Sequence, residues 1–339
     1  MKFIKYPSIE NTYRQKSVDY VYQSGLSGGI WVASEKIHGA NFSIMTDGTD
    51  IRMAKKTALI GEDENFYGCQ SIKEELKRKL REIFRKLQLD FDWPIHYVKL
   101  CGEIYGGRYP HPDVAKVSDA VKVQDKVWYR PDNDFYGFDI VANEIFIDDN
   151  HAQSLFREFD ITNAEPLCRG TIEECFQYTN EFITTIPAKL GLPEIEGNIC
   201  EGVVIKPIDA RFYACGSRVI FKNKNPKFSE KNNGTIPKEK MAEVKFDENA
   251  QELFDELRSL ITENRLRNVL SHIGSITDKE FGKLMGLFVQ DALEEFRKDN
   301  DEAFNALDKD IRKRMTKLIG QLAADTIRPH FLNIIDNNF

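Results

Sequence analysis

The sequence lacks what would place it in a membrane, in a secreted scaffold or in one of the common catalytic families. No apolar run approaches the ~18 residues of a membrane span. Residues 1–20 carry no long apolar stretch and no cleavage pattern, so neither a secretory leader nor a transit peptide is expected. The six cysteines, Cys69, Cys101, Cys168, Cys175, Cys200 and Cys215, include no C-x-x-C pair, and no histidine stands at zinc-finger spacing from them. They read as reduced, mostly buried thiols of an intracellular protein without a structural zinc. There is no GxGxxG, Walker loop, HExxH or GxSxG, which sets aside the usual dinucleotide, P-loop, zinc-protease and serine-hydrolase chemistries. Positive charge is also short: 54 acids against 47 bases give a net −7, the opposite of a chain that grips nucleic acid over its whole surface.

What is present is enough for two domains. At 339 residues, with 41% hydrophobic and 30% charged side chains, the chain can fill a core and is not a disordered or fibrous one. The bases it has are clustered. Between Arg218 and Lys240 seven Lys and Arg face two Glu, a local +5 in 23 residues, and Arg52, Lys55 and Lys56 form a second knot. An acidic body with two basic islands suits a phosphate-binding cleft. Residues 8–24 read as a first helix with Ser8 at its cap. Short apolar runs at Ile30–Ala33, Asn41–Met45 and Ile51–Ala54, broken by Asp47-Gly48, read as strands. Ile72, Leu76, Leu80, Ile83, Phe84 and Leu87 recur at helical spacing, which predicts a helix over 70–88. Further strands are expected at Tyr97–Cys101, Phe135–Val141, Gly202–Ile205 and Arg218–Lys222, with Gly106–Val127 as a surface excursion. The breaker cluster Asn232–Pro237 then separates this mixed α+β body from a helical tail, roughly 243–339, whose segments around 253–261, 278–297 and 308–326 repeat the helical period.

Chemistry concentrates around Glu35-Lys36-Ile37-His38-Gly39. It holds Lys-x-x-Gly, the pattern of an enzyme that attaches a nucleotide to its own lysine. The pattern alone means little, since it also begins at Lys99, Lys231, Lys279, Lys283 and Lys317. Lys36 differs because it leaves one strand and leads through Gly39 into another, placing an amine at the mouth of a sheet. Downstream, in order, come Gly102-Glu103, Phe138-Asp139, Glu201-Gly202-Val203-Val204-Ile205-Lys206-Pro207 and Lys222-Asn223-Lys224. Lys222 and Lys224 share one face of a strand, an unfavourable pairing unless an anion lies near them.

These segments, in this order, resemble the RNA ligase 2 family, the nick-sealing RNA ligases of phages and of kinetoplastid RNA editing, within the covalent nucleotidyltransferase superfamily. The resemblance starts at Lys5–Asn11, is sharpest at Glu35–Gly39, Glu201–Pro207 and Lys222–Lys231, and reaches Asp278–Leu287 in the tail, where DNA ligases and capping enzymes carry an OB-fold instead. It implies an α+β, ATP-grasp-like nucleotidyltransferase domain of antiparallel sheets with flanking helices over 1–231, a linker at 232–242 and an all-helical domain for nucleic-acid binding over 243–339. It implies an ATP-dependent RNA ligase that joins a 3′-OH to a 5′-phosphate at nicks in duplex RNA or an RNA-containing duplex, through lysyl-AMP and adenylylated RNA. Lys36 is then the nucleophile and Phe138 the adenine platform. Glu35 and Ile37 border the base, and Asn41 and Glu103 face the ribose and phosphate side. His38 serves a later step. Gly39, Lys56, Asp139, Lys206, Lys222 and Lys224 complete the ATP site, Lys56 standing where relatives carry arginine. Glu201, with Asp139 and Glu103 behind it, would hold Mg²⁺, or Mn²⁺ in its place. As a strand-end carboxylate, Glu201 is expected to contribute little to stability. Arg265, Arg267, Lys279 and Lys283 would supply tail contacts to phosphate. A monomer in the cytoplasm, encoded by a virus or phage, completes the expectation. The alternatives are a DNA ligase, a GTP-dependent capping guanylyltransferase and a non-catalytic nucleic-acid-binding relative.

Overall fold

The stretch from Ile30 to Lys55 folds as the three strands its texture predicts, β2 (Trp31–Glu35), β3 (Ala40–Thr46) and β4 (Ile51–Lys55), after a two-residue β1 (Glu10–Asn11). Between β3 and β4 the Asp47 carboxylate accepts from the amides of Thr49 and Asp50, and Gly48 takes φ +89°, so the Asp-Gly pair closes the hairpin. The computed structural model describes residues 3–231 and 246–339. It divides into two units, Met1–Lys227 and Phe228–Phe339. The sequence put this division at residue 231, four residues later, and the 232–242 linker lies outside the described residues.

The first unit continues with β5 (Val98–Gly106), β6 (Asn133–Ala142), β7 (Ile145–Phe146), β8 (Pro166–Gly170), β9 (Gly202–Pro207) and β10 (Phe221–Lys224). They build two five-stranded sheets, one in the order β1-β10-β9-β2-β8 and the other β4-β3-β5-β6-β7. Every pairing is antiparallel except β1 with β10. The helices of this unit are α1 (Gln15–Gln23), α2 (Cys69–Asp90), α3 (Asp149–Glu158), α4 (Ile172–Phe176) and α5 (Ile186–Lys189). Helix α2 lays Leu76, Leu80, Ile83, Phe84 and Leu87 on Phe42, Ile44, Leu100 and Ile140 of the second sheet. Each such side chain contributes about 1.5–3 kcal/mol by burial. This core fixes the strand that follows Lys36.

Two boundaries differ from the sequence reading for one reason. The first helix does not start at Ser8: Glu10 and Thr12 donate their amides to Ile220 and Lys222 carbonyls at 3.0 Å, completing a sheet edge, and the helix begins only at Gln15. The last strand starts at Phe221 rather than Arg218, because the Val219 amide turns to the Arg211 carbonyl and Arg218 turns inward. The 106–127 excursion has no helix, but it is not all surface, since Tyr109, Val123, Gln124 and Val127 are buried.

The second unit holds α6 (Glu248–Ser259), α7 (Glu263–Ile273), α8 (Phe281–Ala306), α9 (Lys309–Ile327) and α10 (Phe331–Ile335). Asp247, Thr262 and Asp308 cap α6, α7 and α9 through their side-chain oxygens. Leu253, Phe254 and Leu257 pack with Phe296, Met315 and Ile319. All six cysteines are free thiols; four are buried, Cys168 is half-buried and Cys215 exposed. Among the described residues no helix is long and apolar enough to cross a membrane.

Candidate active site

Strand register gathers the chemistry. β2 runs antiparallel to β9 with Glu35 opposite Val203, and β9 antiparallel to β10 with Gly202 opposite Lys224. The residues just past these ends, Lys36 and Glu201, therefore meet Lys224 at one end of the first sheet. The Lys36 amide donates to the Gly202 carbonyl at 2.8 Å. Glu201, only 2% exposed, receives Lys36 Nζ on Oε2 and Lys224 Nζ on Oε1, both at 2.8 Å, with His38 Nδ1 3.3 Å from Oε2. Burial alone would push this carboxyl up, but the Lys224 and Lys36 ammonium groups beside it hold it well below the usual range. Burial pulls His38 down, against the pull of Glu201.

The second sheet brings the other half. Asn41 on β3 lies opposite Glu103 on β5. Glu103 Oε2 accepts from the Gly39 amide at 2.9 Å. A Cβ on Gly39 would sit 2.5 Å from the Ile104 carbonyl oxygen and 2.9 Å from that carboxylate. This is why the turn after the lysine needs glycine. The His38 amide donates to the Tyr129 hydroxyl oxygen at 2.8 Å. Lys36, Ile37, His38, Gly39, Asn41, Glu103, Glu201 and Lys224 are thus brought together. Lys222, two residues before Lys224, is half-buried, as is Lys56 just beyond β4.

Burial pushes Glu103 up to about 7, with Lys36 opposing and the Glu201 charge adding to the rise. A carboxyl whose folded value lies above its unfolded one favours folding less as pH climbs between the two. Glu103→Gln should therefore stabilise the metal-free protein by about 3 kcal/mol above pH 7 and by almost nothing at pH 4.5. Chemical denaturation of both proteins at the two pH values measures this; equal stability at pH 8 would place a full charge on Glu103 at no cost.

Three expected site residues have other partners. Glu35 is buried, and its carboxylate accepts from the Thr184 hydroxyl and, at 2.8 Å, from the amide and hydroxyl of Thr185. Asp139, expected beside Glu201 and Glu103, is held by other groups. Arg218 takes its two oxygens at 2.6 and 3.0 Å, Lys206 adds a bond at 2.8 Å and the Tyr6 hydroxyl another at 2.5 Å. Lys206 itself is 3% exposed; it reaches Asp149 at 3.0 Å and donates to the Phe138 carbonyl at 2.8 Å. The two motif residues thus belong to a buried ion-pair network that holds the backbone of Phe138, whose half-buried ring meets the Tyr6 ring edge-on at 4.9 Å. Burial would raise the Asp139 carboxyl, but Arg218 and Lys206 drive it far below its ordinary range. Tyr129, Thr184 and Thr185 carry no sequence signal that marks them; Arg218 showed only as one of seven bases in a run.

A family model described as RNA ligase matches residues 29–224, more than half of the chain, and one described as T4 RNA ligase 2 C-terminal matches residues 243–325. The chain belongs to the RNA ligase family. It is 28% identical to the mitochondrial RNA-editing ligase 2 of Trypanosoma brucei brucei, over 94% of this chain and 88% of that protein. It is 29% identical to the mitochondrial RNA-editing ligase 1 of the same organism over 57% of this chain, which covers 48% of that protein. A solved structure of the Naegleria gruberi RNA ligase with PPi matches 67% of this chain at 16% identity and a TM-score of 0.43, and the chain spans 58% of that protein. The resemblance read from the motifs and the ligase class it implied are both borne out.

Proposed function

We propose that this RNA ligase uses ATP to seal 3′-OH/5′-phosphate nicks in duplex RNA or an RNA-containing duplex. Lys36 attacks the α-phosphate of ATP, the bond to pyrophosphate breaks, and lysyl-AMP forms. The nick's 5′-phosphate then takes the AMP from Lys36. The adjacent 3′-hydroxyl attacks that phosphate, the phosphodiester forms and AMP leaves. The observation that carries this reading is the buried Glu201 shared by Lys36 and Lys224, with Gly39 held against Glu103 beside it. A lysine nucleophile, fixed cations and a carboxylate in one buried cluster are the groups phosphoryl transfer requires.

Phe138 stacks on the adenine, with Glu35 and Ile37 at its border. Asn41 and Glu103 face the ribose, and Lys56, Lys222 and Lys224 meet the phosphates. His38, which touches the same carboxylate as Lys36, serves a transfer after the first. Among the described residues no group of three or more His, Cys, Asp or Glu could hold an ion by itself. Mg²⁺ keeps several waters and takes one or two carboxylates plus substrate phosphate, so Glu201, with Glu103 near it, fits Mg²⁺, or Mn²⁺ in its place, arriving with ATP. When bound it neutralises charge on the reacting phosphates. The enzyme acts as a monomer in the cytoplasm, and the free thiols accord with a reducing compartment.

The test is labelling with radioactive ATP and GTP, then sealing of nicked duplexes with RNA or DNA on each side. GTP labelling would make it a capping-type enzyme; sealing confined to all-DNA nicks would make it a DNA ligase. The cores of the first unit draw only on residues before 228, so a fragment ending near Lys240 should still form lysyl-AMP at close to the full rate. It should seal nicks at least about a hundredfold more slowly, for want of phosphate contacts that position the duplex. A folded fragment that seals as well as the full chain would remove the tail from substrate binding.

A further inference from the structure

The basic residues that the sequence nominated in the tail are largely spoken for. Arg265 is 3% exposed and bonds Asp291 at 2.6 Å. Lys283 pairs with Glu280 at 2.7 Å, and the Arg267 guanidinium lies 3.9 Å from the Phe339 ring centre. Other cations of this unit are answered in the same way, Arg258 by Asp255 at 3.0 Å and Arg328 by Asp325 at 2.5 Å.

The first half of α9 is the exception. Residues 309–317 hold five cations, Lys309, Arg312, Lys313, Arg314 and Lys317, against the single acid Asp310. Among the described residues none of the five is in an ion pair: Arg312 reaches only the Asn305 amide oxygen at 3.4 Å, and Arg314 lies 6.0 Å from the Phe246 ring centre. Met315, Ile319 and Ala323 are buried. Lys309, Lys313 and Lys317 recur every four residues on the opposite side and are all exposed. Thr316 lies beside the row and Gly320 just past its end, and the Thr316 hydroxyl is turned back onto the Arg312 carbonyl, so no bulky side chain screens the row there. Like charges four apart on a helix repel. Lys309, the first helical residue, also opposes the helix dipole. Leaving such a row unanswered in a unit that pairs most of its other cations is unfavourable unless an external anion supplies the partner.

We propose that the outer face of α9, centred on Lys309, Lys313 and Lys317, is a docking surface for the sugar–phosphate backbone of the RNA duplex being sealed. The lysines span about 12 Å along the helix axis, so they can meet several phosphates of one strand, without reading sequence. This rests on the nick-sealing reading above and locates the tail's share of it.

The test uses the full chain with Lys309, Lys313 and Lys317 all changed to Gln, and a companion with all three changed to Arg. Binding of a nicked RNA duplex is measured across a salt series, together with lysyl-AMP formation from ATP. The Gln variant should bind at least about tenfold more weakly at ~0.1 M salt, and its log–log salt slope should shrink by about 2, since each lost phosphate contact removes somewhat under one released counterion. Lysyl-AMP formation should stay as in the unsubstituted protein, and the Arg variant should bind like it. A Gln variant with unchanged affinity and slope overturns the docking face, as does an Arg variant as weak as the Gln one, which would mean that charge is not what acts. If the unsubstituted protein fails to bind or seal nicked RNA, the nick-sealing reading falls first. Unchanged RNA binding with lost binding to an acidic protein would assign the face to such a partner instead.

Discussion

With Lys36 replaced by alanine, labelling of the protein by radioactive ATP should vanish, and so should sealing of a nick from ATP. Among the described residues no other lysine that begins a Lys-x-x-Gly reaches Glu201. Lys99, which also begins a Lys-x-x-Gly, is 4% exposed and donates to the Ile4 carbonyl at 3.0 Å. Lys283 lies in the first turn of α8, paired with Glu280, and Lys317 lies within α9. Among the described residues, Lys36 alone of these combines a strand-to-strand turn, a glycine that lets the backbone approach Glu103, and a shared buried carboxylate. The loss should read as a fall of at least about 10⁴-fold in labelling, because the covalent step has no other route. The fold should survive, since Lys224 and His38 still answer Glu201; a cost of about 1–2 kcal/mol is expected for the lost pair. Mapping the adduct in the unsubstituted protein to Lys99 or Lys283 would sink the assignment, as would continued labelling of Lys36→Ala.

Glu201→Gln should be nearly as damaging, and in two ways. The carboxylate is not the weakly held strand-end acid that its place in the sequence suggests. It is 2% exposed and answers two ammonium groups and a histidine. Removing its charge leaves Lys36 and Lys224 facing each other with no anion between them. Breaking a buried pair from one side costs about 3–5 kcal/mol, so the melting temperature should drop by roughly 10 °C. Measured at a temperature where the variant is folded, lysyl-AMP formation should still fall by about a hundredfold or more, because the candidate metal ligand and the partner that orients Lys36 are lost together. Labelling close to normal at saturating Mg²⁺, in a protein shown to be folded, would move the metal to another carboxylate. Unchanged melting would mean that the two lysines do not depend on Glu201 for their charge balance.

The sequence was legible where local period and chemistry coincide. The strands around Lys36, the Leu76–Leu87 face of α2 and the tail helices all follow from spacing, because each buries its apolar side against a neighbour that any sequence of that period would need. The order of the motif segments pointed to the ligase chemistry, and strand register then placed Lys36, Glu103, Glu201 and Lys224 together. Partners far apart in the chain were not legible. Nothing near Glu10 indicates that its amide will bond the Ile220 carbonyl, so a strand looked like the start of a helix. Asp139 reads in sequence as a free carboxylate beside Phe138; only the fold shows Arg218 and Lys206 closing on it. Glu201 was nominated for the metal, but its burial and its two lysine partners were not legible, because burial of a charged side chain depends on which charges the fold brings to it.

The pairing of β1 with β10, and of β2 with β9, has a consequence for the order of events on the ribosome. Lys36 is made early, but Glu201 and Lys224 emerge 165 and 188 residues later, and β10 gains its outer neighbour from Glu10 and Asn11. The first sheet cannot close until that late hairpin has left the exit tunnel. Contacts of such long separation form slowly. On the mechanism proposed above, a nascent chain would carry Lys36 through most of synthesis without Glu201 and Lys224, and self-adenylylation would begin only when the first unit is essentially complete.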